Sequence, residues 1–249
     1  MLKSITSGIK AYLGAFSLLS KLKLWKFFAI PMLISVVTAS LISFAAYSLS
    51  DNLGAYIAEV WIWDWGKTAF TALGTILGLL MIIAIGLILF KHIIMALSAP
   101  FMSPVSEIIE THLTGHTGSP NYLHRNSSFT SQLWRGIRIN IRNLIRELLF
   151  TIPILVLKFI PIVNIFSTIT LFFLQSYYAG FGNMDYTLER HYNYKNSINF
   201  VRENRGLAIG NGIVFMLCLF IPIVGVLLVL PLSVTAATTE TVKVLNKKN

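Results

Sequence analysis

Phe159-Ile160-Pro161-Ile162-Val163-Asn164 and Phe220-Ile221-Pro222-Ile223-Val224-Gly225 are nearly the same phrase, and each interrupts an apolar stretch with charged segments on either side. Proline cannot continue a helix, and Asn or Gly three residues later tolerates left-handed backbone angles, so each phrase reads as a turn. Turns belong at surfaces, yet these two divide the most hydrophobic parts of the sequence. Two helical hairpins pushed tip-first into a membrane satisfy both facts. Pro161, Asn164, Pro222 and Gly225 are then the hairpin tips.

Composition agrees. The 249 residues are 55% hydrophobic and only 12% charged, with a mean hydropathy of +0.71. A soluble domain carries about 25% charged residues, and half that number leaves too little polar surface to coat a globule of this size. The chain is therefore an integral membrane protein. Its formal charge of +10 does not point to nucleic acid, because the basic residues flank apolar runs. That placement suits orientation in a bilayer and contact with anionic lipid. The single cysteine, Cys218, excludes an intramolecular disulfide. A cleaved signal peptide is not expected, since the first apolar stretch is too long for one and the basic arm before it reads as a retained anchor.

That arm, residues 1–26, holds five lysines and no acid, with Ile5, Ile9, Tyr12, Leu13, Phe16 and Leu19 at helical spacing. It should be an amphipathic helix lying at the interface. Residues 27–49 then run without a charge for about 34 Å of helix, enough to cross a hydrocarbon core of about 30 Å. An acidic loop follows, containing Trp61, Trp63 and Trp65, and a second span covers residues 68–90 and continues to Leu97. Pro100 and Pro104 are expected to stop it. The lysine-rich arm faces the cytoplasm by the positive-inside rule, and the tryptophan loop faces out. A short helix around residues 105–113 and a polar loop come next. From Phe129 a helix carries Arg135, Arg138, Arg142 and Arg146 in one stripe, opposite Leu133, Ile137, Ile141, Leu144 and Leu148. It skims the cytoplasmic face and dips from about residue 148. The dipping arms, residues 148–160 and 207–221, are about 20 and 22 Å long and do not comfortably span the core. The fold class is thus an all-α membrane protein with two long transmembrane helices, two Pro-tipped membrane-dipping hairpins and amphipathic interfacial helices. A conventional six-span bundle gives the same sidedness and is the rival architecture.

Few residues could carry chemistry. No Asp or Glu occurs in residues 27–50, 68–106, 148–184 or 206–239, so proton coupling through an intramembrane carboxylate has no evident seat. His92 beside Lys91 reads as an interfacial residue. Gly66-Lys67-Thr68 resembles the end of a P-loop, but Trp61 stands where that motif needs glycine. His112, His116 and His124 are loosely spaced and lack a cysteine partner, so no metal site is expected. No nucleophile, base or cofactor motif marks an enzyme. Gly74-x3-Gly78 and Gly206-x3-Gly210 allow close helix approach, and Asn126-Ser127-Ser128 is an acceptor sequence that this topology leaves in the cytoplasm. What remains is positive charge. Lys21, Lys23 and Lys26 precede a helix N-terminus, which favours anions. The stripe of Arg135, Arg138, Arg142 and Arg146 is either a lipid-facing surface or an anion vestibule, since guanidinium pairs well with tetrahedral oxyanions. Lys158 beside the first tip must snorkel out or line a polar cavity.

Three stretches together resemble one family. Leu97-Ser98-Ala99-Pro100-Phe101, with Glu107, Glu110 and Leu113-Thr114-Gly115, is similar to the "APF…E…LTG" signature of the CysZ sulfate-transporter family. Met184-Asp185-Tyr186 through Phe200-Val201-Arg202-Glu203-Asn204-Arg205-Gly206, and Ile221-Pro222-Ile223-Val224-Gly225 through Ala236-Ala237-Thr238, resemble its remaining parts. The resemblance covers essentially the whole chain, read as one membrane domain over residues 1–249. It implies a bacterial inner-membrane homo-oligomer linked to sulfate entry for cysteine biosynthesis, acting as a channel or permease without an energy source. One motif departs. Where sulfate-handling members carry Gly-Leu-Arg-Arg before the first span, this chain reads Lys23-Leu24-Trp25-Lys26. By that alignment these four are the candidate anion-binding residues, with Lys26 the one basic position carried over.

The sequence therefore points to passive passage of sulfate or a related small oxyanion, with no cofactor and with both termini cytoplasmic. A non-transporting, lipid-organising protein gripping anionic headgroups is the alternative, and the altered motif at Trp25 favours it.

Overall fold

The computed structural model describes residues 1–59, 65–115, 128–157, 161–221, 225 and 227–248. Among them every regular element is helical. The order is α1 (Leu2–Lys21), a 3-10 turn (Leu24–Phe28), α2 (Ala29–Ala58), α3 (Lys67–Leu97), α4 (Ala99–Thr114), α5 (Phe129–Leu157), α6 (Pro161–His191), α7 (Tyr194–Glu203), α8 (Arg205–Leu219) and α9 (Val229–Lys248). Trp61, Trp63, His116, His124, Asn126, Lys158 and Pro222 lie outside the described residues.

Two helices are long and apolar enough to cross a membrane, Leu24–Tyr56 and Lys67–Leu97. They form an antiparallel pair in which Gly54 meets Gly74 and Thr75, and Gly86 meets Ile42. Their outer faces, with Leu33, Leu41, Phe44, Tyr47, Leu73 and Leu80, stay uncovered by protein. In water so much exposed apolar surface would drive aggregation; against lipid it is the expected exterior.

The rest of the bundle is built around α6, which packs against α3, α4, α5, α7, α8 and α9. From Tyr178 to Arg190 every α6 residue is buried, so the polar groups there depend on partners inside the protein. Asn183 donates to Asn211 at 2.8 Å, Thr187 to Thr238 at 3.0 Å, and Arg190 to Glu110 at 2.9 Å. Glycines bring the backbones together: a Cβ on Gly180 would strike the Ala208 carbonyl, and one on Gly212 the Ser176 carbonyl.

Several expectations change in detail. Pro161 is the first residue of α6 and Asn164 lies inside that helix, so they do not bracket a turn. Proline fits the first helical position because the amide hydrogen it lacks would be unpaired there. Gly225 lies against Cys218 and Leu219 at the end of α8, and its N–H donates to the Ile221 carbonyl. Pro100 sits at the start of α4 and Pro104 within it, so neither ends α3, which stops at Leu97 as expected, with Ser98 between the two helices. The N-terminal arm is helical, yet it packs against α8 and α9. Gly8 and Ala15 are buried together with Leu19, whereas Leu13 and Phe16 face outward. Gly206 and Gly210 do permit close approach, in this case by Ser4 and Ile5 of α1.

Candidate functional site

The face that α5 turns inward is polar. Asn143, Glu147 and Thr151 recur every four residues along it and all are buried, while Ile141, Ile145 and Leu149 point outward. Opposite Glu147, α3 brings Lys91 and His92. Lys91 Nζ donates to Glu147 Oε1 at 2.6 Å and reaches the Gln175 carbonyl of α6 at 3.4 Å. His92 Nε2 stands 3.0 Å from Glu147 Oε2, and its Nδ1 stands 3.4 Å from Asn140 Oδ1. Side-chain exposure is 0% for Lys91 and Glu147 and 3% for His92. One carboxylate thus holds two basic groups in a sealed junction of three helices.

This arrangement is expensive. Removing an ion from water costs several kcal/mol even after relaxation, and a single pairing seldom recovers all of it. Ionisable groups kept buried at such a cost are candidates for function. Beyond the junction, a cavity of about 320 Å³ lies between α3, α5, α6 and α8, with Thr151, Thr168 and Gln175 among its lining. Thr151 Oγ1 in that cavity and Asn143 Nδ2, one turn to the other side of Glu147, have no protein hydrogen-bond partner. A broken line of buried donors therefore flanks the ion pair.

His92 is accordingly not an interfacial residue: it is buried and paired with Glu147. Glu147 was not legible as a site residue because it lies one position before the acid-free stretch of residues 148–184. The available signal was the four-residue polar period of Asn143, Glu147 and Thr151, which sets them on one helix face.

The arginine stripe separates into different environments. Arg135 clamps Asp185 with two hydrogen bonds of 2.9 and 3.1 Å and also donates to the Tyr192 carbonyl and Ser197. Burial alone would lower its pKa, but the Asp185 carboxylate outweighs that and raises it. Arg138 lies over the Tyr194 ring at 4.1 Å, and Arg142 over Phe181 at 5.2 Å. Arg142 sits below the ordinary guanidinium range because it is half-buried and close to the Arg146 charge. Near Arg135, Glu110 accepts from Arg190 at 2.9 Å and faces His191 at 2.6 Å. Burial pushes the Glu110 carboxyl upward, but those two partners prevail and hold it below the usual range. Glu189 has no such compensation. Burial, followed by the neighbouring Asp185 charge, outweighs the opposing Ser103 and Arg190 and raises it to about 7.

The four aligned residues before the first span also divide. Lys23 adopts a left-handed conformation, φ 54°, at the start of the 3-10 turn, taking the backbone role that glycine fills easily. Leu24 is buried in the core. Trp25 packs edge-on between Phe16 and Phe28, and its indole N–H donates to Ser20 Oγ at 3.1 Å. Lys26 is exposed beside Phe27. Lys23 and Lys26 thus offer charge to solvent, while Leu24 and Trp25 anchor the turn.

No curated protein matches the chain. Over residues 11–230 it does match the family described as Sulfate transporter CysZ/Etoposide-induced protein 2.4, which supports a transporter-like role in a membrane and an anion as its substrate, and the chain belongs to that family.

Proposed function

We propose that this protein gives sulfate, or a related small oxyanion, a passive route across the bacterial inner membrane. The α2–α3 pair spans the bilayer, and the α5–α6 and α8–α9 pairs enter it as hairpins from the cytoplasmic side, where both termini lie. Homo-oligomers and contact with anionic lipid belong to the same reading. Lys23 and Lys26, and the arginines of α5, draw the anion toward the protein.

The observation that carries this proposal is the buried Lys91–Glu147–His92 junction. A dehydrated anion needs a cation to meet it, and Lys91 is such a cation, held by Glu147 where three helices join. In this conformation the carboxylate occupies the ammonium and closes the way to the cavity beyond. Passage requires Lys91 to exchange Glu147 for the anion, and Asn143 and Thr151 offer donors on either side of that exchange.

Purified protein in liposomes should accelerate labelled sulfate flux down its gradient without ATP. Lys91→Ala should abolish the acceleration, and Lys23→Ala with Lys26→Ala should reduce it. Flux equal to that of empty liposomes at every sulfate gradient would retire transport in favour of the lipid-organising alternative.

A further inference from the structure

Not every arginine in this part of the bundle is neutralised. Arg135 and Arg190 each grip a carboxylate, whereas no ion pair among the described residues includes Arg142, Arg146, Arg202 or Arg205. These four come from α5, α7 and α8, yet they converge. Arg142 is half-buried, Arg146, Arg202 and Arg205 reach solvent, and the charges of all four bear on Tyr177 of α6. Arg142 lies 5.2 Å from the Phe181 ring, and that ring is 6.2 Å from the ring of Tyr177. Like charges gathered without a counterion repel one another. Among the described residues, ion pairs engage Arg135 and Arg190 and none of these four.

A second observation points the same way. Asn143 is fully buried, and its Oδ1 accepts from Arg142 Nη1 at 2.8 Å. That bond fixes the amide orientation and makes Nδ2 a donor, yet Nδ2 has no acceptor in the protein. Buried donors are ordinarily satisfied, so one left over beside a guanidinium cluster marks a place for an acceptor.

We propose that Arg142, Arg146, Arg202 and Arg205, with Asn143 Nδ2, form a binding site for a tetrahedral oxyanion of the sulfate or phosphate class. The planar guanidinium forks match two oxygens at a time, which a lysine cluster could not do. Two sources carry this chemistry: the free inorganic anion and the phosphate of an anionic lipid headgroup. The site rests on the transport reading for its place at the mouth of a route, but binding is measurable without transport.

The test is equilibrium dialysis of radiolabelled sulfate and phosphate against the full chain in detergent at low salt, with and without short-chain phosphatidylglycerol. Saturable binding is expected, weakened at least tenfold in Arg142→Gln/Arg146→Gln and in Arg202→Gln/Arg205→Gln. The Lys3→Gln/Lys10→Gln control removes equal charge from α1 and should change binding less than twofold. Arg142→Lys/Arg146→Lys keeps the charge but loses the forks, and should bind several-fold more weakly than wild type. Sulfate that phosphatidylglycerol displaces, or arginine-dependent binding of the lipid alone, identifies the headgroup as the source. Sulfate that phosphatidylglycerol leaves in place identifies the free anion. Absence of saturable binding by either anion and by the lipid overturns the site, as does a loss in the lysine control equal to that in the arginine pairs. Binding with no flux in liposomes would leave the site standing and sink the transport reading; flux without binding would do the reverse.

Discussion

Lys91 Nζ stands 2.6 Å from Glu147 Oε1, and solvent reaches neither side chain. α3 and α5 are thereby tied to each other beside α6, whose Gln175 carbonyl Lys91 also reaches. Breaking such a pair leaves one charge buried alone, which costs about 3–5 kcal/mol, whereas replacing both members with apolar groups is often neutral. Glu147→Ala should therefore lower stability in detergent by that amount. Lys91→Met combined with Glu147→Leu should unfold close to wild type. If the pair serves only stability, the double variant will still conduct sulfate; on the proposed mechanism it will be as inert as empty liposomes.

Lys23 offers a backbone test beside a charge test. Its φ of 54° places a Cβ against the following carbonyl, a strain of about 1–2 kcal/mol for a residue other than glycine. Lys23→Gly should raise the unfolding free energy by about 1 kcal/mol, whereas Lys23→Ala should leave it nearly unchanged. Sulfate flux should fall in both, since both remove the ammonium. A fall confined to one of them would separate the residue's charge from its backbone role.

Where α6 meets α8, Gly180 and Gly212 allow backbone to lie on backbone. Each added methyl would push the helices apart, and overpacking of this kind costs about 1–3 kcal/mol, occasionally more. Gly180→Ala and Gly212→Ala should each destabilise by at least that range in a denaturation series. Gly14→Ala on α1 meets nothing within 4 Å and should be neutral or slightly stabilising.

These particulars show what the sequence could and could not disclose. The two long apolar helices were legible because 23 residues without a charge admit few alternatives in a chain this apolar. The family signature was legible as well, since Ala99-Pro100-Phe101 with Glu110 is a local pattern. The Lys91–Glu147 pair was not, because its members are 56 positions apart and nothing local relates them. Arg135 illustrates the same limit. Its helical spacing with Arg138, Arg142 and Arg146 is correct, but the choice of Asp185 as partner for one arginine alone is made by how α6 docks. Pro161 is ambiguous for a local reason: proline suits both a turn and a first helical residue, and here it begins α6.

Glu189 gives the bundle a dependence on pH that can be isolated. Its side chain is 6% exposed at the end of α6, among Asp185, Arg190 and Arg135, and its pKa is raised from 4.5 to about 7. A raised carboxylate pKa means that the folded state holds the proton more tightly than the unfolded chain does. The stabilisation is complete below pH 4.5, declines as pH rises, and is gone above about 7. Across that window it amounts to about 3 kcal/mol. Glu110 acts in the opposite sense, but its lowered pKa confines its effect to pH below 4.5, so the two windows do not overlap. The difference in unfolding free energy between wild type and Glu189→Gln, measured from pH 4.5 to 8, should therefore favour wild type less and less as pH rises and then level off. A difference that stays flat across the range would show that Glu189 is already ionised in the folded protein, and that Ser103 and Arg190 solvate it better than its burial suggests.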